Sequence, residues 1–306
     1  MNRYLDPTND ISFKKLFGTE EHKPLLISFL NSVLSLEGER RIKKVKVLPK
    51  DQAPLIKETK TSVLDIKCTD ERNIQYIVEI QNKKIPGFIK RTQFYVAHSY
   101  VTQAPSGSHY VHLKPIILLA IANHELFPSK ETVISYHKTL DVDTLEHDLE
   151  DMSYVFVELP KFTKKDTELK TVQDKWLYFL KNWDKSNEIP EAVQEEELLE
   201  AYRSMEEYNW SAGEREAYLQ ANLALTDEYD IKRHAWEEGN QKGLEAGLEA
   251  GLEAGLEAGR QEGLKAGRSE VAKAMLKSSL AIELISKLTG LAENEIDSLK
   301  DKIEVT

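Results

Sequence analysis

The chain has 306 residues, 41 Lys+Arg against 52 Asp+Glu, a formal charge of −11 and 41% hydrophobic residues. That composition excludes disorder throughout, and the longest apolar run, residues 115–122, is too short for a membrane-spanning helix. The opening MNRYLDPTND lacks the basic-then-apolar layout of a secretory signal, and a lone Cys68 permits no internal disulfide or cysteine-based zinc site; both fit a cytoplasmic protein.

Residues 10–36 read as one or two helices, because Phe13, Leu16, Phe17, Leu25, Leu26, Phe29, Leu30 and Val33 recur at spacings of three and four. Asp6, Thr8 and Asn9 offer caps at the start. Residues 44–48 alternate as a short strand. Residues 61–69 (TSVLDIKCT) and 74–81 (IQYIVEIQ) are β-rich runs separated by the turn residues Asp70, Glu71, Arg72 and Asn73, and so read as a hairpin. Residues 87–103 are expected to be helical, with buried strands over 112–122 and 153–159. The economical assembly is a mixed α/β domain with a central sheet flanked by helices, extending to about residue 235.

From about Thr167 the pattern turns helical. Gly239, Gly243, Gly247, Gly251, Gly255, Gly259, Gly263 and Gly267 then fall every fourth residue, with Leu-Glu-Ala filling most gaps, so that 236–268 reads as a helical repeat. A four-residue step advances 400° on a helix, so this stripe drifts by about 40° per step. It suits either close self-association or an exposed spacer. Residues 269–306 read as two short helices around Gly290, a helix-turn-helix-like element. Its 5 Lys/Arg against 7 Asp/Glu favour packing or oligomerisation over a grip on phosphates.

Charge is divided unevenly along the chain. Residues 1–125 hold 19 Lys+Arg and 13 Asp+Glu, a balance of +6, which leaves −17 for the remainder. Two cationic groups stand out in the basic part: Arg40, Arg41, Lys43 and Lys44, continued by Lys46 and Lys50, and then Lys83, Lys84, Lys90 and Arg91. They are solvated faces or the footprint of a polyanion such as double-stranded DNA.

The residue that demands a reason is Asp65, an acid within an apolar strand pattern. Glu79 occupies the facing run. A hairpin loop of three or five residues makes paired positions sum to 144 and sets Asp65 opposite Glu79; a loop of two or four pairs Asp65 with Val78 instead. Gln81 shares a strand face with Glu79. Two adjacent carboxylates repel, and a hard divalent cation, Mg²⁺ or Mn²⁺, relieves the repulsion and can activate water against a phosphate. The alternative is a solvated face on which the acids pair with Lys67 or Arg91. His109 and His112 lack a third metal-binding partner nearby, and Cys68 reads as packed.

Asp65, a turn and then Glu79-Ile80-Gln81 resembles the Asp…(Asp/Glu)-x-Lys signature of the PD-(D/E)XK nuclease superfamily. The wider segments DPTNDISFKKLFG, LDIKCTDERNIQYIVEIQ and KRTQFYVAHSY are similar to the Rpn recombination-promoting nucleases, or transposase-like proteins, of that superfamily, as are the glycine repeat and the ending ISKLTGLAENEI. The resemblance is specific over residues 4–122. It implies a restriction-endonuclease-like core and a metal-dependent DNA endonuclease linked to recombination, mobile elements or phage defence.

Carried over, it makes Asp65 and Glu79 metal ligands, with the Ile80 carbonyl a third oxygen. It also implies that Asp10 is an additional acid, the alternative being a helix cap. Gln81 stands where the pattern has Lys: an amide can position water but brings no charge, which Lys67 or Arg91 would have to supply. Tyr95 is a phosphate contact or core. The helical C-terminal part would join two subunits. Gln81 also keeps open a rival reading, a nuclease-fold protein of weak or lost activity that binds DNA or a protein. The acidic second half could mask the basic face.

Overall fold

A computed structural model of the chain describes residues 3–49, 51–52, 62–63, 65–104, 109–185 and 187–304. They form two units, 1–225 and 226–306.

The first unit begins with helix α1 (Asp10–Phe17), capped by the Asn9 side chain, which accepts a hydrogen bond from the Ile11 amide. Its buried Phe13, Leu16 and Phe17 keep the three-and-four spacing read in the sequence. Gly18 caps its end, its amide donating to the Lys14 carbonyl, and glycine is required there because a Cβ would lie 2.7 Å from that oxygen. Helix α2 (Lys23–Val33) follows, with a proline in its first turn.

Among the described residues eight strands follow in chain order: β1 (Val45–Val47), β2 (Asp51–Gln52), β3 (Ser62–Val63), β4 (Ile66–Asp70), β5 (Gln75–Gln81), β6 (Ile116–Ala122), β7 (Ile134–Lys138) and β8 (Met152–Glu158). Six make one sheet in the order β1-β4-β5-β6-β8-β7, while β2 and β3 pair separately. The strands β5, β6 and β8 run parallel, and β1, β4 and β7 pair antiparallel to their neighbours. Helix α3 (Phe88–Val101) makes the crossover from β5 to β6.

Strand alternation sorts the two faces. Tyr76, Val78 and Ile80 join the main core, which also holds Phe13, Phe29, Trp176 and Phe179 from α1, α2 and α4 (Val172–Asn182), and Leu198 from α5 (Glu196–Met205). Ile77 belongs to the second core, with Phe88, Tyr95 and Val96 of α3. The sheet is thus covered on both faces, as its parallel central strands β5, β6 and β8 require. In the main core Trp176 packs its ring against Phe17, Phe29 and Phe179 at centroid separations of 5.5–5.9 Å.

Three expectations change. The strand expected over 61–69 is two pieces: Ser62 and Val63 pair with β2, β4 begins only at Ile66, and Leu64 lies outside the described residues. The strand expected from His112 begins at Ile116, because Tyr110–His112 forms a 3₁₀ turn. Edge strand β7 was not anticipated. Only one of its five residues is buried, so it carries a weak alternation signal.

The second unit takes up the long helix α6 (Ala212–Lys277) beyond residue 225, then α7 (Ile282–Thr289) and α8 (Glu293–Glu304). A Cβ added at any glycine of the repeat would meet nothing within 4 Å, and Leu244, Leu248, Leu252 and Leu256 are exposed. Ala272, Ile285, Leu291 and Ile296 make a small core in which α7 and α8 meet around Gly290. Among the described residues no helix is long and apolar enough to cross a membrane.

Candidate active site

The β4–β5 hairpin has Ile66 opposite Val78 and Cys68 opposite Tyr76, the register whose positions sum to 144. Its tip is shaped by Asp70, whose Oδ1 accepts from the amides of Arg72 and Ile74, and by Asn73 at φ +62°. Asp65 therefore falls opposite Glu79. It sits just before β4, and instead of extending the backbone ladder its Oδ2 accepts the Ile80 amide at 2.9 Å. The Asp65 amide donates to Glu79 Oε1 at 3.3 Å, so each acid holds the backbone around the other.

Glu79 is only 4% exposed. Burial first, then the neighbouring Asp65 charge, push its carboxyl up to about 8. The Asp65 carboxyl is also raised, by burial and then by Asp10, against the Ile80 amide and the charges of Lys14 and Arg91. Asp10 is exposed in the first turn of α1, where Asn9, not Asp10, is the cap. Asn82 ties this corner together by donating to the Thr8 carbonyl.

On the α3 side, Gln81 is buried and used at both ends of its amide: Nε2 donates to the Lys83 carbonyl at 2.8 Å, and Oε1 accepts from Arg91 Nη2 at 2.6 Å. Arg91 lies over the rings of Phe88 and Tyr95, and its Nε finds no acceptor. Gly87, at φ +82°, starts α3 so that Arg91, one turn later, reaches this position. Tyr95 is buried in the second core, and burial followed by the Glu79 charge raises its hydroxyl pKa.

A cleft of about 320 Å³ opens beside the pair, lined by Lys14, Gly18, Val47, Leu48, Pro49, Asp65, Ile66 and Lys67. Burial lowers the Lys67 ammonium pKa. Lys14 Nζ stands 3.8 Å from Asp65 Oδ1 and 3.7 Å from Asp10 Oδ2. In the sequence, Lys14 is marked by its position four residues after Asp10 on one helix face.

The two cationic groups part company. Lys83, Lys84, Lys90 and Arg91 follow β5 directly, at the carboxylate end of the sheet, with Lys84 and Lys90 exposed. Arg40, Arg41, Lys43 and Lys44 are exposed near the hairpin tip, where Glu71 accepts from the Lys43 and Lys44 amides. Five strand residues separate the tip from Asp65, roughly 17 Å. His109 and His112 are exposed, with ring centroids 6.3 Å apart. Cys68 is buried, its thiol pushed up to about 12.

Among the described residues no group of three or more His, Cys, Asp or Glu could hold a metal ion. Two oxygen-donor acids remain, and that number fits Mg²⁺ or Mn²⁺, which keep several waters and complete their shells with a substrate phosphate. Burial and mutual repulsion raise the proton affinity of both acids, and a divalent cation would favour their ionised forms.

A mixed sheet between helical layers, with paired acids on its central hairpin, is the core of a PD-(D/E)XK-type nuclease. The profile of the PD-(D/E)XK nuclease family transposases matches residues 7–235, and the chain belongs to that family. No curated relative and no solved structure matches the chain.

Proposed function

We propose that the protein is a divalent-metal-dependent DNA endonuclease. The observation that carries this reading is the Asp65–Glu79 pair, buried Glu79 accepting the Asp65 amide and half-buried Asp65 lining a cleft that also holds Lys14 and Lys67, with the proton affinity of both acids raised. Asp65 and Glu79, with the Ile80 carbonyl, would hold Mg²⁺ or Mn²⁺. When bound, the ion would polarise the scissile phosphate and ease deprotonation of the attacking water.

The chain's own groups do the rest. Gln81, fixed by Arg91 and the Lys83 carbonyl, would orient water through the second lone pair of its amide oxygen. Lys67 or Arg91 would offset charge developing on the phosphate. Asp10 supports the acidic cluster from α1. Lys83, Lys84 and Lys90 grip the strand being cut, and Arg40, Arg41, Lys43 and Lys44 hold a more distant stretch of duplex. Residues 236–306 would join two copies so that both strands can be addressed, in recombination, transposition or phage defence.

The test is incubation of labelled duplex DNA, single-stranded DNA and RNA with Mg²⁺, Mn²⁺ or EDTA. Internal cleavage of duplex DNA only with metal supports the reading. Gln81 favours a second reading, a binding module, since its amide is already engaged at both ends and brings no charge. DNA binding without cleavage under any divalent ion would favour that module.

A further inference from the structure

The nuclease site needs a cation near the attacked phosphate, and the three candidates are not equally free to serve. Arg91 is held in place: its Nη2 donates to Gln81 and its guanidinium lies 5.2 Å from the Phe88 ring centroid and 5.9 Å from that of Tyr95. Lys67 also lines the cleft, half-buried along its strand, but is not drawn between two carboxylates. Lys14 differs from both. Its ammonium stands between two carboxylates at 3.7 and 3.8 Å, beyond ordinary hydrogen-bond length, and its side chain remains 30% exposed in the cleft that Asp65 lines.

The helix that carries Lys14 is firmly placed. The adjacent Lys15 pairs with Glu214 at 2.5 Å and lies over the Trp210 ring, while Phe13, Leu16 and Phe17 are buried. Gly18 lets the chain turn against the Lys14 carbonyl. Lys14 thus has a rigid base and a loosely held tip. A cation held by Asp65 would compete with that tip for the same carboxylate, and a phosphate in the cleft would give it a new partner.

We infer that Lys14 is an exchangeable counter-ion of the cleavage site: it neutralises Asp65 in the metal-free protein and moves to the scissile phosphate when metal and DNA are bound. The inference rests on the nuclease reading above. It makes two linked demands of opposite sign, which a lysine of merely structural value would not meet. Removing the charge should strengthen metal binding without DNA, because a competitor for Asp65 is gone. It should also slow cleavage, because a positive charge at the phosphate is lost.

The test compares the full-length protein with Lys14→Met, Lys14→Arg and Lys15→Met. Mn²⁺ is titrated calorimetrically without DNA, and kcat and KM are measured on plasmid. Lys14→Met should bind Mn²⁺ about 3- to 10-fold more tightly and lose about 100-fold in kcat. Lys14→Arg should recover cleavage to within about 10-fold of wild type, and Lys15→Met should leave Mn²⁺ affinity unchanged. Thermal unfolding of each variant checks that it folds, and if Lys14→Met does not, Lys14→Gln takes its place. Unchanged Mn²⁺ affinity, or cleavage within about 2-fold of wild type, overturns the inference. A wild-type protein that binds Mn²⁺ but cuts nothing removes the nuclease reading instead, and the affinity comparison still decides whether Lys14 competes for Asp65.

Discussion

Asp65 and Glu79 face one another across the β4–β5 hairpin, the Asp65 amide donating to Glu79 Oε1 at 3.3 Å and the Asp65 carboxylate accepting the Ile80 amide at 2.9 Å. The hydrogen bonds hold the two carboxyl groups together, and ionising Glu79 beside Asp65 in a buried position costs stability.

That cost should be visible as a pH dependence. The folded-state value for Glu79, about 8, lies above its ordinary 4.5. Its contribution to stability is therefore complete below about pH 4.5 and is lost as pH rises through 8. Without divalent ions, unfolding temperature should fall between pH 6 and pH 9, and Glu79→Gln should raise it at pH 9 by on the order of 5 °C. Added Mn²⁺ should raise it in wild type and much less in Glu79→Gln. Differential scanning calorimetry across this range reads both effects.

Gln81→Ala removes the acceptor for Arg91 Nη2 and the donor to the Lys83 carbonyl in one step. The Arg91 guanidinium, whose Nε already lacks a partner, would be left with another unsatisfied group. Urea unfolding should show a loss of about 1–3 kcal/mol, and cleavage should fall with it.

The two cationic groups should separate by duplex length. Replacing Lys84 and Lys90 by Ala should weaken binding to short and long duplexes alike and reduce the salt slope by about 1 for each lost phosphate contact. Replacing Arg40, Arg41, Lys43 and Lys44 should matter only once the duplex can span the roughly 17 Å from the carboxylates to the hairpin tip. Fluorescence anisotropy at several salt concentrations distinguishes the two patterns.

Away from the acids, Glu158 closes the end of β8: its Oε1 accepts the amides of Leu126 and Phe127, and its Oε2 takes the Lys161 ammonium at 2.8 Å. Both side chains of the pair are buried. Glu158→Ala should cost about 3–5 kcal/mol in chemical unfolding because it strands a buried cation, and adding Lys161→Met should recover part of that loss.

The helices around Phe13 and Phe29, the hairpin and α3 were legible because their apolar residues recur at 3.6 or 2 and their turns carry Asp, Asn or Gly. The hairpin register was legible only as a choice between odd and even. The turn decides it through the two amides held by Asp70 and the left-handed Asn73, which spacing alone does not encode. Asp65 was read as sitting within a strand, whereas its side chain takes the Ile80 amide just before β4 begins. Lys14 was missed because its meaning comes from Asp65, distant in sequence and adjacent in space. The engagement of Gln81 by Arg91 was equally beyond reach, since it depends on where α3 lies against β5.

The most direct measurement is cleavage of supercoiled plasmid by the full-length protein with Mg²⁺, Mn²⁺ or EDTA, beside Asp65→Ala and Glu79→Ala. The account predicts nicking or linearisation by wild type with either metal, none in EDTA, and a loss of about 100-fold or more in each variant. Equal, metal-independent behaviour of all three proteins would contradict it.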